Sequence, residues 1–181
     1  MYLLKDKAIT WLMNTVAVVM SSVILSILLS SMSGYVFAIY DFKFKNTLWS
    51  ILLVQMMIPR IALLIPLFVI MKDMHLSGTL TATVLPIVMS PSGMYLARNY
   101  FESIPKSIIE SSRIDGASEW QILGKIILPV SKPIISALGM FSGIFALQDY
   151  LWQMLVLIDE NKQTLLVGLM KLSMKRGGES S

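Results

Sequence analysis

Few side chains in this sequence could support catalysis or bind a metal ion. The chain has one histidine, His75, and no cysteine, so a multi-histidine site and a thiolate metal site are both excluded. The apolar runs contain no cluster of acids or histidines and no serine paired with a base. A nucleotide-binding P-loop is also absent, because Gly124-Lys125 lacks a glycine-rich lead and is followed by Ile126 instead of a hydroxyl residue. We therefore predict that the chain is not an enzyme, has no catalytic or metal-binding residue and uses no cofactor.

Two charged residues, Arg60 and Asp149, interrupt otherwise uncharged apolar runs. A charged side chain within a membrane is costly, so it is a candidate for a substrate or ion pathway. The residues that we predict for a substrate pathway are Gln55, Arg60, Gln148, Asp149 and Trp152. A structural explanation stays open, because Asp149 and Trp152 fall near a span end, where charged and aromatic residues often lie at the membrane interface. Arg60 could likewise bind a backbone carbonyl at a proline kink.

The composition is that of a membrane protein. Hydrophobic residues make up 55% of the 181 residues and charged residues only 14%, against about 25% in an average soluble domain. The net charge of +4 does not indicate a nucleic-acid partner, because the basic residues lie in the gaps between apolar runs. A membrane-spanning helix needs about 20 mostly apolar residues, and four runs provide them. We predict one all-α transmembrane domain, residues 1–181, a polytopic helical bundle in the lipid bilayer with spans at about 12–38, 47–71, 77–97 and 133–157.

The gaps between the spans predict the orientation of the chain. Gaps 41–45 and 98–132 are rich in lysine and arginine, whereas gaps 72–75 and 159–162 each carry one lysine and at least one acid. Positively charged loops stay in the cytoplasm. We therefore predict that the first two gaps are cytoplasmic and that the other two face outward.

The N-terminal segment does not fit this orientation. Alternation of the spans places residues 1–7 outside, although Lys5 and Lys7 are basic. An additional span before this chain would remove the conflict.

Proline and small residues indicate kinked, closely packed helices. Pro59 and Pro66 should interrupt the second span, and Pro86, Pro91 and Gly93 the third, since neighbouring helices can satisfy the freed backbone groups. Small residues let helices approach closely, although they are also simply common in membrane spans. In the first span these are Ser26, Ser30, Ser31, Ser33 and Gly34.

The long gap at 98–132 predicts two short helices around a tight turn. Pro105 suits the first turn of a helix, and Asp115-Gly116 should end that helix because glycine readily adopts the left-handed conformation. Ser118 and Gln121 have the spacing of a capping box that starts a second helix, which Pro129 interrupts. Such a segment could insert into a groove on a partner or lie on the lipid surface. The apolar residues of its second helix are Trp120, Ile122, Leu123, Ile126 and Ile127.

The same gap resembles a family motif. Glu110-Ser111-Ser112, Gly116, Ile126 and Leu128-Pro129 have the spacing of the EAA loop of bacterial ABC importer permeases, with serines in place of its alanine pair. Serine is small, so close packing should survive. The flanking segments resemble the carbohydrate-importer branch, the maltose-type second permease; they are Gly34-Tyr35, Phe42-Lys43-Phe44, Ile65-Pro66-Leu67, Asn99-Tyr100-Phe101, Ile104-Pro105, Asp149-Tyr150-Leu151-Trp152, Thr164-Leu165 and Val167-Gly168-Leu169.

This resemblance implies a transport subunit that forms a sugar pathway and is coupled to a separate ATPase. The implied partners are ABC ATPase subunits, a second permease subunit and an extracytoplasmic sugar-binding protein, and the implied location is the prokaryotic inner or plasma membrane. Family members usually have six spans, and this chain corresponds to the middle four, so we expect a fragment or a truncated reading frame. The implied ATPase-coupling residues are Glu110, Ser111, Ser112, Asp115, Gly116, Ala117, Leu128 and Pro129.

Other functions remain open at the level of sequence. The permease could carry another solute such as glycerol phosphate, or a truncated chain could be a non-transporting structural membrane subunit. An ion-coupled carrier needs buried carboxylates, and only Asp149 could serve. A membrane-embedded enzyme would need a cluster of acids or histidines that the spans lack.

Overall fold

The computed structural model describes residues 2–88 and 90–178, with the side chains of residues 7–88 and 90–174. All regular elements in this part of the chain are helical, which confirms the predicted all-α fold. A π-helical turn, Leu123–Ile127, separates α7 from α8, and a 3-10 turn, Glu160–Lys162, precedes α11. The α-helices are α1 Tyr2–Ile39, α2 Lys45–Gln55, α3 Arg60–Asp73, α4 Leu80–Val88, α5 Pro91–Glu102, α6 Lys106–Ile114, α7 Glu119–Ile122, α8 Leu128–Val130, α9 Lys132–Gln148, α10 Tyr150–Val156 and α11 Leu165–Gly178.

Helix α1 is the longest element. It contains 38 residues, whereas the predicted first span covered only about 12–38. At about 1.5 Å per residue, 38 residues reach about 57 Å, nearly twice the roughly 30 Å of a bilayer core. Helix α1 is therefore longer than one crossing of the hydrocarbon requires.

The other three predicted spans are each divided. The second consists of α2 and α3 with a break before Pro59, as predicted, but Pro66 lies inside α3 and does not interrupt it. The third consists of α4 and α5, where Pro91 begins α5, whereas Pro86 lies within a continuous α4. The predictions for Pro66 and Pro86 are therefore wrong: a proline removes one backbone donor, and the remaining bonds keep each helix continuous.

The fourth predicted span is interrupted at a residue that no proline marks. Asp149 leaves the helical conformation, with φ −77° and ψ 55°, and separates α9 from α10. Within the described residues, Lys7–Ile39 is the single unbroken helix long and apolar enough to cross a membrane, and the number rises to four if each bent helix pair is counted as one span. One such bend, of 86°, lies between residues 119–130 and α9, so these residues do not continue the axis of α9.

The described chain forms two compact units. The first unit comprises residues within Met1–Ser22, Pro59–Ile87 and Ser142–Ser181, and the second comprises Val23–Ile58 and Val88–Phe141. The first unit contains both gaps that we predict to face outward, and the second contains both gaps that we predict to be cytoplasmic. The two basic gaps thus occur in the same unit, and the predicted orientation stays a prediction.

The first unit is built around a buried tryptophan. Trp152 is 1% exposed and packs with Met71, Ala82 and Val156. Its indole Nε1–H donates a hydrogen bond to the backbone oxygen of Ala82 at 3.0 Å, so the polar atom of the ring is satisfied inside the core.

The beginning of α1 is fastened within the first unit. Trp11 Nε1 donates to the backbone oxygen of Glu160 at 2.7 Å, and Asn14 donates to the backbone oxygens of Asn161 and Gln163, each at 2.9 Å. Lys7 Nζ lies 2.6 Å from a carboxylate oxygen of Glu160, so the charge that conflicted with an outer N-terminus has an acid partner in a gap predicted to be outer.

A glycine accommodates the Trp11 ring. A Cβ added to Gly168 would overlap the Trp11 side chain, which is 3% exposed. The buried ring therefore requires the absence of a side chain at position 168.

The second unit depends on close helix packing. A Cβ on Gly34 of α1 would lie 2.6 Å from Cβ of Ala97 on α5, and Ser26, Ser30 and Ser31 are buried. These contacts confirm that small residues in the first span allow helices to approach closely. The buried core of this unit contains Tyr35, Ala97, Phe101, Ile104, Ile109, Ile122, Leu123, Ile127 and Leu138.

Candidate functional site

Helix α6 and the turn that follows it have the predicted form. The helix begins after Pro105 and ends at Ile114, and Gly116 has a φ of 82°. The Gly116 N–H donates to the oxygen of Arg113 and the Ala117 N–H to that of Ser112, each at 3.0 Å, which is the bond pattern of a Schellman motif. No atom lies within 4 Å of a Cβ built on Gly116, so only backbone conformation demands glycine there.

The second short helix begins with the predicted capping box. Gln121 N–H donates to the Ser118 hydroxyl oxygen, and the Gln121 side-chain oxygen accepts from Ser118 N–H at 2.9 Å. Only four residues are α-helical before the π-helical turn Leu123–Ile127 widens the helix. The chain then passes Pro129 in α8 and turns at Ser131 into α9.

The eight predicted coupling residues lie along this α6–α7 segment, which we define as residues 103–130. Ser111 and Ser112 both donate their hydroxyl hydrogens to the backbone oxygen of Ile108, at 3.1 and 2.6 Å, so each serine hydroxyl is satisfied within α6. Five residues, Glu110, Ser111, Asp115, Gly116 and Pro129, are exposed, and three, Ser112, Ala117 and Leu128, are half-buried.

The apolar side chains of the segment divide into two sets. Ile109, Ile122 and Ile127 are buried in the second unit. Two others face away from that core: Ile114 is 86% exposed and Trp120 is 71% exposed. Among the apolar residues predicted for the second helix, Trp120 is thus exposed, whereas Ile122, Leu123 and Ile127 are buried.

Three polar side chains join the segment to the end of α1. The Tyr35 hydroxyl donates to one carboxylate oxygen of Glu119 at 2.6 Å, and Arg113 Nε donates to the other at 2.8 Å. The Arg113 guanidinium carbon also lies 5.6 Å from the centre of the Tyr40 ring. We call Tyr35, Arg113 and Glu119 the Glu119 clamp.

The clamp keeps the carboxylate charged. The hydrogen bond from Arg113, together with that from Tyr35, lowers the pKa of Glu119 to about 2. The clamp was not predicted from the sequence, because Tyr35 and Glu119 are 84 positions apart. The signal in the sequence that could have indicated part of the clamp is the pair of opposite charges, Arg113 and Glu119, on either side of the Gly116 turn.

The predicted pathway residues come together only in part. Arg60 forms an ion pair and hydrogen bond with Asp149, and its guanidinium carbon lies 5.8 Å from the centre of the Phe145 ring. This side-chain partner replaces the backbone carbonyl that was the structural alternative for Arg60. Gln148 is exposed in the first unit.

The remaining two pathway candidates have different surroundings. Trp152 is buried in the core of the first unit, so its ring is not open to a solute in this structure. Gln55 is an exposed residue in the second unit, at the end of α2. Substrate contact at all five candidates stays a prediction.

Among the residues that the structure describes, no group of three or more histidine, cysteine or acidic side chains could hold a metal ion.

Known relatives resemble most of this chain. The arabinooligosaccharides transport system permease protein AraQ of Halalkalibacterium halodurans is 37% identical over 163 residues, and that of Bacillus subtilis is 32% identical over 162 residues. Each match covers 90% of this chain and 58% of the relative, so the chain spans less than two thirds of their length. The sn-glycerol-3-phosphate transport system permease protein UgpE of Rhizobium meliloti is 29% identical. That match covers 89% of this chain and 57% of UgpE.

A solved structure has the same fold. A chain from the crystal structure of a bacterial ABC transporter involved in the import of the acidic polysaccharide alginate superposes with a TM-score of 0.85 at 28% identity. The match covers 91% of this chain and 58% of that one. The family model for the binding-protein-dependent transport system inner membrane component matches residues 26–169, which include the entire α6–α7 segment. This chain therefore belongs to the family of binding-protein-dependent transport system inner membrane components, as the resemblance of its EAA-like loop implied.

Proposed function

We propose that this chain acts as a transmembrane permease subunit of an ATP-binding-cassette importer for a sugar or oligosaccharide. The α6–α7 segment carries the proposal, because a family member here presents a helix closed by Gly116 with predicted coupling residues exposed along it. The chain has no nucleotide-binding P-loop of its own. ATP hydrolysis is therefore assigned to a separate subunit.

The α6–α7 segment docks on that ATPase subunit. Glu110 and Asp115 supply exposed negative charge, and Gly116 sets the direction in which the chain leaves α6. Ile114 and Trp120 expose apolar surface, and a large aromatic side chain of this kind is typical of interface anchors. A lipid surface would also accept Trp120, and the docking experiment below separates the two partners.

The subunit lies in the prokaryotic inner or plasma membrane as a multi-pass protein. The four predicted spans cross the bilayer with the α6–α7 segment in the cytoplasm. The outer gaps face a second partner, an extracytoplasmic sugar-binding protein, and a second permease subunit completes the pathway. Support for this orientation comes from the two basic gaps, which belong to the same compact unit.

The substrate is a sugar or an oligosaccharide. The relatives named above transport arabinooligosaccharides or sn-glycerol 3-phosphate, and the structural relative takes part in alginate import. Their common feature is a polyhydroxylated solute, with or without negative charge. Arg60, paired with Asp149, is the cation in the predicted pathway that could contact hydroxyl or acidic groups.

Co-purification tests the docking step. The chain, in the full-length form that the source genome encodes, is expressed with its candidate ATPase, and the amount of ATPase bound is measured. Gly116→Pro should abolish binding, because proline cannot adopt a φ of 82° and lacks the N–H that donates to Arg113. Gly78→Pro is the matched control: Gly78 has a φ of 78° and donates its N–H to Val156, but it lies in the first unit.

The outcomes separate docking from other roles. Loss of ATPase with Gly116→Pro and its retention with Gly78→Pro support the coupling function. Equal binding by the native protein and Gly116→Pro excludes the segment as the docking element. If the native protein binds no ATPase, the favoured interpretation becomes a segment that lies on the lipid surface or a subunit with a purely structural role.

A further inference from the structure

The Glu119 clamp joins the proposed docking segment to the longest helix of the chain. Glu119 is the first residue of α7, and Tyr35 lies one turn before the end of α1. Both carboxylate oxygens of Glu119 are used: Arg113 on α6 donates to both, and Tyr35 donates to one of them. A single side chain thus holds together α1, α6 and α7.

The clamp differs from the other ion pairs of the second unit. Arg98 and Glu102 are four residues apart on α5, and Asp41 and Lys45 are four residues apart near the start of α2. Both pairs are local in sequence, and none of their four residues belongs to α1 or to the α6–α7 segment. The Tyr35–Glu119 bond is the one among these side-chain bonds that crosses from α1 to the α6–α7 segment.

The surroundings of the clamp favour transmission of a displacement. Tyr35 is 3% exposed and belongs to the core of the second unit, so its hydroxyl is held by a packed ring. On the other side, the Arg113 and Glu119 side chains are 39% and 40% exposed, on the same short segment as the exposed Ile114 and Trp120. Tyr35, which is held in the core on α1, is therefore bonded to the half-exposed side chain of Glu119. We expect a docked partner to displace the segment that carries Glu119.

We propose that Glu119 is a positioning residue of the transport cycle, which passes movement of the docked α6–α7 segment to α1 through Tyr35 and Arg113. This inference rests on the proposed function, since it needs an ATPase to displace the segment. Docking itself uses the exposed residues around Gly116. Glu119 instead determines whether ATP hydrolysis is followed by movement of the spanning helix.

Transport per ATP in the assembled importer tests this role. The full-length subunit is reconstituted with its partner subunits in vesicles, and substrate uptake and ATP hydrolysis are measured on the same preparation. Glu119→Gln removes the charge while keeping the size of the side chain, and Tyr35→Phe removes only the hydroxyl. We expect ATPase co-purification to remain native and uptake per ATP to fall about twofold to thirtyfold in either variant, the range found for residues along coupling networks.

Glu102→Gln is the matched control, because it makes the same chemical change in an ion pair confined to α5. Its uptake per ATP should equal that of the native protein. In the double variant of Tyr35→Phe and Glu119→Gln the ratio should fall no further than in Glu119→Gln alone, since both changes break the same connection.

Three results would overturn the inference. Native uptake and a native ratio of uptake to hydrolysis in both clamp variants would show that the clamp transmits nothing, although docking and transport remain. An equal fall in uptake and hydrolysis, or a fall only in the amount of assembled complex, would assign Glu119 to docking or to folding. If the native subunit binds no ATPase, the proposed function fails and this inference fails with it.

Discussion

The two ends of α1 are fastened in different ways. In the first unit, Trp11 and Asn14 donate to backbone oxygens of residues 160–163, and Thr15 accepts from the backbone N–H of Leu165. In the second unit, Tyr35 bonds the side chain of Glu119. Backbone partners are present whatever the side chains of the loop are, whereas a side-chain partner can be removed by one substitution or one rotation. Apart from the Lys7–Glu160 ion pair, the first attachment therefore depends on backbone groups of the loop, whereas the second depends on side chains alone.

The largest effect is expected from breaking the first attachment. Trp11→Ala should lower the free energy of unfolding by about 3 to 5 kcal/mol, the usual cost of removing a buried tryptophan side chain. Denaturant titration of the detergent-solubilised protein measures the change. Trp11→Phe keeps a six-membered aromatic ring and removes the pyrrole part of the indole together with the bond to Glu160, so it should cost less than Trp11→Ala. Equal losses in the two variants would mean that the hydrogen bond, not the ring, stabilises this end of α1.

The next effect tests close packing in the second unit. Gly34→Ala should lower the free energy of unfolding by about 1 to 3 kcal/mol, because the added Cβ would lie 2.6 Å from Cβ of Ala97 and 2.9 Å from the backbone nitrogen of Arg98. Gly124→Ala is the control, since a Cβ there meets no atom within 4 Å. The packing of α1 against α5 would be in doubt if both variants unfolded at the same denaturant concentration.

A smaller effect compares the turns that end α6 and α3. Both are closed by the same pair of backbone bonds, but the left-handed residue is Gly116 after α6 and His75, with a φ of 57°, after α3. Gly116→Ala should destabilise the protein by about 1 kcal/mol, because a Cβ in this conformation crowds the backbone. His75→Gly should change stability by less and in the opposite direction. Thermal unfolding midpoints measure both, and destabilisation by His75→Gly would show that the imidazole makes a contact worth more than the strain.

The smallest effect is the contribution of the Glu119 charge to stability. The pKa of Glu119 is lowered from 4.5 to about 2, so the folded protein binds this proton less readily than the unfolded chain. Stabilisation by the charge is complete above about pH 4.5 and is lost as the pH falls towards 2. The difference in unfolding midpoint between the native protein and Glu119→Gln should therefore narrow between pH 5 and pH 3. A difference that stays constant over this range would mean that the charge is not held by the clamp.

Local signals were predicted well from the sequence. The Gly116 turn and the Ser118 capping box depend on residues at most five positions apart, and both are found as expected. The effect of each proline was harder to predict, because a proline at the start of a helix and one inside it give the same local sequence signal. Pro91 begins α5, while Pro66 lies inside α3. The break at Asp149 involves a partner, Arg60, that lies 89 positions away.

Distant pairs could not be predicted because nothing near either residue specifies the other. Lys7 and Glu160 are separated by 153 positions, and Tyr35 and Glu119 by 84. For the same reason, Trp152 was predicted for the substrate pathway, and its place in a core against Ala82 was not predicted. The residues proposed for docking were predicted from a contiguous motif, whereas the Glu119 clamp was found only in the fold.

The contact between Gly168 and the Trp11 ring couples the substitutions that these two positions can tolerate. A side chain acquired first at position 168 would collide with the Trp11 ring, and a small residue acquired first at position 11 would leave a destabilising cavity. Either single change is costly, so the two positions are expected to change together. Homologous subunits should accordingly divide into lineages that pair a large ring with glycine and lineages that pair a small residue with a side chain.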